Sequence, residues 1–151
     1  MIQLFTELQE KKNVRSNLSA LRASLKEATE EQKAQAIEFV RGHEDLVFGF
    51  LQEEDAKTRK NAALLLGDLA VQNALQPLWK AYTREQTLFV KSAYLEAMKA
   101  LHAEEILSQL KDRLAELEGE PVTEENRKHR EAELRALRAI LIPVSYTHLR
   151  A

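Results

Sequence analysis

The chain has 151 residues, 44% of them hydrophobic and 30% charged, so it is neither a disordered chain nor a membrane-embedded one. Its 22 Lys and Arg against 24 Asp and Glu leave a net charge of −2, which argues against a dedicated polyanion-binding protein. Because the sequence has no cysteine, disulfide scaffolds, cysteine zinc sites and thiol catalysis are excluded.

The N-terminus, MIQLFTELQEKK, carries a glutamate within its first apolar stretch and is therefore not a secretory signal. No apolar run approaches the roughly 18 residues that span a membrane, so we expect a soluble, cytoplasmic protein. Helical spacing then places four apolar residues on one face: Val14, Leu18, Leu21 and Leu25. Thr29-Glu-Glu-Gln32 has the form of a capping box and predicts a helix that ends near Gly42.

The middle of the chain predicts a buried helix. Asp55 is expected to cap the segment DAKTRKNAALLLGDLA, which is apolar on almost every side. Such a helix must be covered on several faces, so we expect it inside a layered structure, with Ala62 and Ala63 against neighbouring helices. Helices are also predicted from about Asn73, after a cap at Thr87, around residues 106–117, and from Thr123 to the end.

An internal repeat indicates the fold class. TRKNAALLLGDL (58–69) aligns with VKSAYLEAMKAL (90–101), so that Arg59 matches Lys91, and QKAQAIEFV is a weaker echo. Repeated helix pairs make an α-solenoid. We therefore predict an all-α fold of about four antiparallel helix pairs over residues 1–142, with the clearest repeats at 44–69 and 73–101.

Residues 53–101 resemble HEAT repeats, with an acidic turn, an Arg, two small residues, Leu-Gly and then Ala-Leu-x-Pro-Leu. The resemblance implies a short right-handed solenoid and a polar ladder in which Arg59 and Lys91 pair with acidic turn residues such as Asp55. Two residues depart from the pattern. Thr58 replaces the usual Val, and Ala70 stands where a Gly often ends the second helix, so we expect a longer turn there.

The resemblance implies a non-catalytic scaffold that binds a protein partner or a missing C-terminal part of the same chain. An alternative rests on the same residues and the charged helix after them. They also resemble HEAT-like segments found ahead of a nucleic-acid methyltransferase domain in some bacterial proteins. The chain would then be the accessory arm of an RNA-modifying enzyme whose catalytic domain is missing.

No cofactor or metal is expected. The di-iron hydroxylases among HEAT-like proteins carry several His-Glu dipeptides, whereas this sequence has only His43-Glu44, and one such pair cannot hold two irons. His129 is spaced four residues from both Glu125 and Glu133. Without a second segment of ligands, this set is interpreted as a charged surface row.

Two segments are candidate interaction surfaces. Trp79 and Tyr82 are suited to anchoring a partner, although packing against Leu66 and Leu69 is the favoured interpretation. The segment NRKHREAELRALRA is basic and could contact RNA phosphates weakly. A solvated outer face is the favoured interpretation, because Glu residues lie between the cations. Those cations are Arg127, Lys128, Arg130, Arg135 and Arg138.

The last residues, VSYTHLRA, match nothing before them. Reverse-translated, they read in frame through a transposon-end sequencing adapter, and that frame restricts the preceding residue to Ser, Pro, Thr or Ala; it is Pro143. We therefore expect native sequence to stop at Ile142, with residues 143–151 an artefact and the chain a fragment of a longer protein. The apolar end at 139–142 is then expected to fray or self-associate.

Overall fold

The structure, a computed structural model, describes residues 1–150, with side chains for residues 1–142. This part of the chain is all-α, as predicted, and no strand occurs in it. Its nine α-helices are α1 (Ile2–Gln9), α2 (Val14–Leu25), α3 (Glu30–Gly42), α4 (Glu44–Phe50), α5 (Ala56–Asp68), α6 (Leu75–Arg84), α7 (Leu88–Ala100), α8 (Leu107–Gly119) and α9 (Arg127–Arg150). Short 3₁₀ turns at Gln72–Ala74 and Ala103–Ile106 precede α6 and α8.

Local capping chemistry starts two of the helices as predicted. Thr29 and Gln32 form a complete capping box on α3, and the Asp55 carboxylate accepts the Thr58 N–H at the start of α5. Thr87 occupies the cap position of α7 but makes no side-chain capping bond. Thr123 exchanges hydrogen bonds with Asn126 in a turn, so α9 begins only at Arg127.

Helix α5 lies at the centre of the fold. Ala62 and Ala63 are both 0% exposed, which confirms the expected burial of this small-residue face. Helix α7 approaches closely because Gly67 has no side chain: a Cβ there would lie 3.0 Å from the Ala97 Cα. The α5–α7 contact is the most extensive between any two helices of the described chain.

The helices pack in a regular order. Helix α5 contacts α2 on one side and α7 on the other, and α7 in turn contacts α9. We call α2, α5, α7 and α9 the first layer. Each of these helices also packs on a second-layer helix next to it in sequence, namely α1, α4, α6 and α8. Contacts among α4, α6 and α8 are far sparser than those among α5, α7 and α9.

The weaker repeat echo does not belong to the first layer. QKAQAIEFV lies in α3, which packs on α4 and meets α1 through stacking of Phe5 on Phe39, with ring centroids 4.5 Å apart. Its spacing resembles the repeat because α3 is amphipathic, not because it occupies an equivalent position. The helix that neighbours α5 is α2, and its VRSNLSAL aligns with TRKNAALL of α5.

The turn after α5 is short, contrary to the expectation drawn from Ala70. Ala70 itself adopts the left-handed conformation, with φ 52°. The Val71 N–H bonds to the Leu66 carbonyl and the Ala70 N–H to that of Gly67, which is the hydrogen-bond pattern of a Schellman cap. Two hydrogen bonds hold an alanine where glycine is the usual residue, so no additional turn residues are needed.

The core continues into α9, where Leu134, Leu137, Ile140 and Leu141 are buried. Ile142 is 70% exposed. The prediction that residues 143–151 are an artefact falls on side chains outside the described part and stays a prediction. No helix within the described residues is long and apolar enough to cross a membrane.

Candidate functional site

The most elaborate polar chemistry of the molecule lies in two clusters between the layers. The first is centred on Arg59. Its Nε and Nη2 donate to the two carboxylate oxygens of Glu85, each at 2.9 Å, and its Nη1 donates to the carbonyls of Glu53 and Glu54, each at 2.8 Å. The guanidinium therefore joins the turn before α5 to the turn after α6. Bidentate pairing of this kind fixes the relative orientation of the two side chains as well as bringing their opposite charges together.

The Arg59 cluster is completed by Tyr94, whose hydroxyl donates to Glu85 at 3.1 Å. Burial opposes the charged form of Glu85, but hydrogen bonds from Arg59 and from the Thr87 N–H outweigh it and lower the pKa of the carboxyl. Burial and the nearby carboxylate raise the pKa of Tyr94. At neutral pH the cluster is a neutral tyrosine beside a charged, fully paired Arg–Glu couple.

The second cluster surrounds Glu133 of α9, which is only 2% exposed. Lys91 Nζ lies 3.2 Å from one carboxylate oxygen, and Arg113 Nη2 lies 3.0 Å from the other. The Tyr82 hydroxyl donates to the same oxygen as Arg113. Glu133 thus connects α6, α7, α8 and α9. Its burial corrects the interpretation of Glu125, His129 and Glu133 as an exposed charged row, because three remote donors draw Glu133 inward.

Charge in the Glu133 cluster is unevenly balanced. Burial opposes ionisation of Glu133, but the Tyr82 hydrogen bond and the charges of Lys91 and Arg113 lower its pKa. His129 Nε2 lies 3.6 Å from the carboxylate, is buried, and has no hydrogen-bond partner among the described side chains. Burial and the charge of Lys91 lower the pKa of His129. Two cations therefore already satisfy the carboxylate, and the imidazole stays neutral.

Asp55 does not pair with Arg59, which corrects the expected ladder. Its carboxylate accepts the Thr58 N–H at 2.9 Å and the Thr58 hydroxyl at 2.7 Å, and its ionic contact is Arg15 of α2 at 3.5 Å. The reason is geometric, since the capping role turns Asp55 toward α2 while Glu85 lies on the α7 side of Arg59. Lys91 likewise takes Glu133 as its partner and not a turn residue.

The two candidate aromatic anchors have different environments. Tyr82 is buried and its hydroxyl donates a hydrogen bond to Glu133. Trp79 is half-buried, with its ring centroid 5.4 Å from that of Tyr82, and it packs against the core cluster that contains Leu66 and Leu69. Of the two, only Trp79 offers surface to a partner.

The basic residues of α9 do not form one surface. Arg130 is half-buried and donates to the carbonyls of Leu117 and Glu118 at 3.1 and 3.2 Å, so it caps the end of α8. Arg138 lies 3.7 Å from Glu118. The remaining three cations, Arg127, Lys128 and Arg135, are exposed.

Two cavities open on either side of α6. The larger, about 720 Å³, lies beside the Arg59 cluster and combines apolar surface from Phe48, Pro77 and Ala81 with charged side chains. The smaller, about 330 Å³, lies beside the Glu133 cluster and is bordered by Trp79. Both occur where the second-layer helices separate. Cavities of this size, with mixed lining, are typical of binding grooves.

Among the described side chains, no group of three or more His, Asp or Glu residues is arranged to hold a metal ion. Comparison with protein-family models, with curated proteins and with solved structures gives no match for this chain. The polar partners that sequence reasoning missed are Glu85, Tyr94, Arg113 and Glu133. The repeat alignment identifies none of these four partners. The similarity of VRSN in α2 to TRKN in α5 does mark another member of the ion-pair series, Arg15, as the equivalent of Arg59.

Proposed function

We propose that residues 1–142 form a short HEAT-like α-solenoid that serves as a non-catalytic scaffold for a protein partner. The observation that carries this proposal is a repeated ion pair. Cations at equivalent positions of three first-layer helices each meet a carboxylate that follows them in the chain. The pairs are Arg15–Asp55 at 3.5 Å, Arg59–Glu85 at 2.9 Å and Lys91–Glu133 at 3.2 Å.

The packing order supports the same proposal. In a solenoid each unit contacts only its neighbours, and the units α1–α2, α4–α5, α6–α7 and α8–α9 fit that description. Helix α3 is then an insertion between the first two units. Sparse contacts between second-layer helices are what a curved stack produces on its outer side, and that curvature opens the two grooves beside α6.

The chemistry of the grooves favours binding over catalysis. Glu85 and Glu133 have perturbed pKa values, which often mark catalytic groups, but both are held by cations and tyrosines within the described structure. Structural ion-pair networks perturb pKa values in the same way. The groove beside the Arg59 cluster offers apolar and charged surface together, as a protein partner requires.

A photo-crosslinker placed in the groove tests the proposal. Gln86 is exposed and lines the larger groove, whereas Gln35 is equally exposed on α3, away from it. We expect p-benzoylphenylalanine at position 86, but not at position 35, to give a discrete protein adduct in extracts of the source cells. Adducts of equal yield from both positions would contradict the scaffold proposal, as would adducts to nucleic acid alone.

The accessory-arm alternative remains a second proposal, favoured by the exposed Arg127, Lys128 and Arg135 of α9. It requires tight RNA binding through this helix, whereas the scaffold proposal expects only weak, non-specific binding. Submicromolar, salt-sensitive affinity for mixed-sequence RNA that Arg127→Ala with Lys128→Ala abolishes would favour the arm.

A further inference from the structure

A basic groove of about 550 Å³ lies between the first turns of α2 and α5, away from both polar clusters. Arg15, Ser16 and Ser19 line it from α2, and Lys57, Lys60 and Asn61 line it from α5. No carboxylate is among its lining residues. Within the described side chains, neither Lys57 nor Lys60 makes an ion pair.

Asn61 is the residue that marks this groove as a site. It is only 7% exposed and lines the groove, and its amide makes no hydrogen bond to another described residue but stays accessible to solvent. Asn17, at the equivalent position of α2, is buried to the same extent but donates to the Lys12 carbonyl at 2.9 Å. Buried amides nearly always have a partner. The Asn61 amide therefore presents unused donors to whatever occupies the groove.

The start of α2 adds backbone donors. Asn13, the residue before the helix, has φ 47° and makes no side-chain capping bond, so the first N–H groups of α2 are uncapped. By contrast, Asp55 caps α5 with its carboxylate. Open N–H groups at a helix start, with the positive end of the helix dipole, favour an anion.

Asp55 does not neutralise the groove. Its carboxylate is engaged by the Thr58 N–H and hydroxyl, and it reaches a single nitrogen of Arg15, at 3.5 Å. The remaining guanidinium N–H groups, two lysine ammonium groups, the Ser19 hydroxyl and the Asn61 amide can donate to a ligand, whereas the Ser16 hydroxyl already donates to the Asn13 carbonyl at 3.2 Å. We propose that this groove binds a phosphate group, carried either by a small ligand or by one link of a nucleic-acid backbone.

The test uses the full chain with two probes, inorganic phosphate and a short labelled single-stranded RNA of mixed sequence. We expect saturable binding of at least one probe. Lys57→Ala with Lys60→Ala should weaken it about tenfold and, for RNA, lower the slope of log K against log salt by about 0.7, the value for one phosphate of a single strand. The matched control, Lys99→Ala with Lys111→Ala, removes the same charge from exposed positions on α7 and α8 and should leave affinity within about twofold.

Asn61→Leu distinguishes hydrogen bonding by the amide from the general attraction of the basic groove, because it removes the amide donors without changing the net charge. We expect it to weaken phosphate or RNA binding while the melting temperature stays within about 2 °C, since the amide makes no hydrogen bond to another described side chain or backbone group. If the groove binds phosphate but not RNA, the natural ligand is a small phosphorylated molecule. If it binds RNA and inorganic phosphate competes with that RNA, the natural ligand is a nucleic-acid backbone. Failure of both probes to bind, equal weakening by the two double variants, or an unaffected Asn61→Leu would overturn the proposal.

Discussion

The Arg59 and Glu133 clusters do the same mechanical work with opposite charge arrangements. Around Arg59, one guanidinium is shared between a carboxylate and two backbone carbonyls. Around Glu133, one carboxylate is shared between two cations and a tyrosine. The first cluster joins turns, whereas the second joins four helices.

The difference shows how much each cluster depends on its carboxylate. If Glu85 lost its charge, Arg59 would keep its two carbonyl partners. If Glu133 lost its charge, Lys91 would lose the one carboxylate that it pairs with among the described side chains and would stay close to Arg113, which keeps Glu116 and Glu120. Burial of unpaired like charges costs far more than loss of one hydrogen-bonded partner. The Glu133 cluster is therefore expected to be the more fragile of the two.

The largest expected effect is that of Glu133→Gln. It leaves Lys91 without its counter-charge, while Arg113 keeps Glu116 at 3.5 Å and Glu120 at 3.8 Å, and should lower the free energy of unfolding by about 3 kcal/mol, the lower end for removal of one partner from a buried pair. Chemical denaturation monitored by circular dichroism measures it. The control is Glu131→Gln, two residues away and exposed, which should be neutral. Equal small effects of the two variants would mean that Glu133 is not buried between its cations.

Glu85→Gln should cost less, about 2 kcal/mol, the value for a hydrogen bond to a charged group. Arg59 retains its carbonyl partners, and the amide of Gln still accepts one hydrogen bond. The same denaturation assay measures the loss of stability, and the informative result is which of the two variants, Glu85→Gln or Glu133→Gln, loses more. A Glu85 variant less stable than the Glu133 variant would reverse the comparison.

Stability should fall in two steps as the pH is lowered. Burial beside Lys91 lowers the pKa of His129, so the unfolded chain takes up that proton first and stability falls below about pH 6.5, the ordinary histidine value. Hydrogen bonds from Arg59 to Glu85 and from Tyr82 to Glu133, together with nearby positive charge, lower the pKa of both carboxyls, so their contribution is present above about pH 4.3 and is lost as the pH falls through their folded pKa values. Melting temperatures across this range, with His129→Gln and the two Gln variants, assign each step. Persistence of the upper step in His129→Gln would show that another group causes it.

The smallest change in stability is expected from a residue outside both clusters. Ala70→Gly relieves a left-handed alanine and should raise the free energy of unfolding by about 0.5–1 kcal/mol. Its control is Ala115→Gly on an exposed face of α8, which should be destabilising by a similar amount because glycine weakens a helix interior. Two changes of the same sign would place Ala70 in an ordinary helical conformation.

What could be predicted from the sequence was local. The Thr29 capping box, the Asp55 cap and the buried Ala62–Ala63 face depend on residues a few positions apart, and their periodicity is readable. The all-α class follows from the same signals. The weaker echo in QKAQAIEFV does not mark a neighbour of α5, because an amphipathic helix has the same spacing wherever it packs.

The cluster partners could not be predicted because the chain brings them from far away. Glu85 lies 26 residues from Arg59, and Glu133 lies 42 from Lys91. Glu133 lies four and seven residues before the buried Leu137 and Ile140, so helical spacing distinguishes it from Glu131, but its partners are set by packing of α9 on α7 and α8. Binding grooves arise in the same way, from gaps between helices that no single segment encodes.

The central claim is that Arg15, Arg59 and Lys91, the aligned cations of α2, α5 and α7, each pair with a carboxylate that follows them in the chain, and a double-mutant cycle on Arg59 tests it most directly. Arg59→Met combined with Glu85→Gln should give a coupling energy of about 1–3 kcal/mol, as for residues in one ion-pair network. Arg59→Met combined with Asp55→Asn should be additive, because Asp55 faces Arg15 instead. Coupling of Arg59 to Asp55, with none to Glu85, would contradict the account.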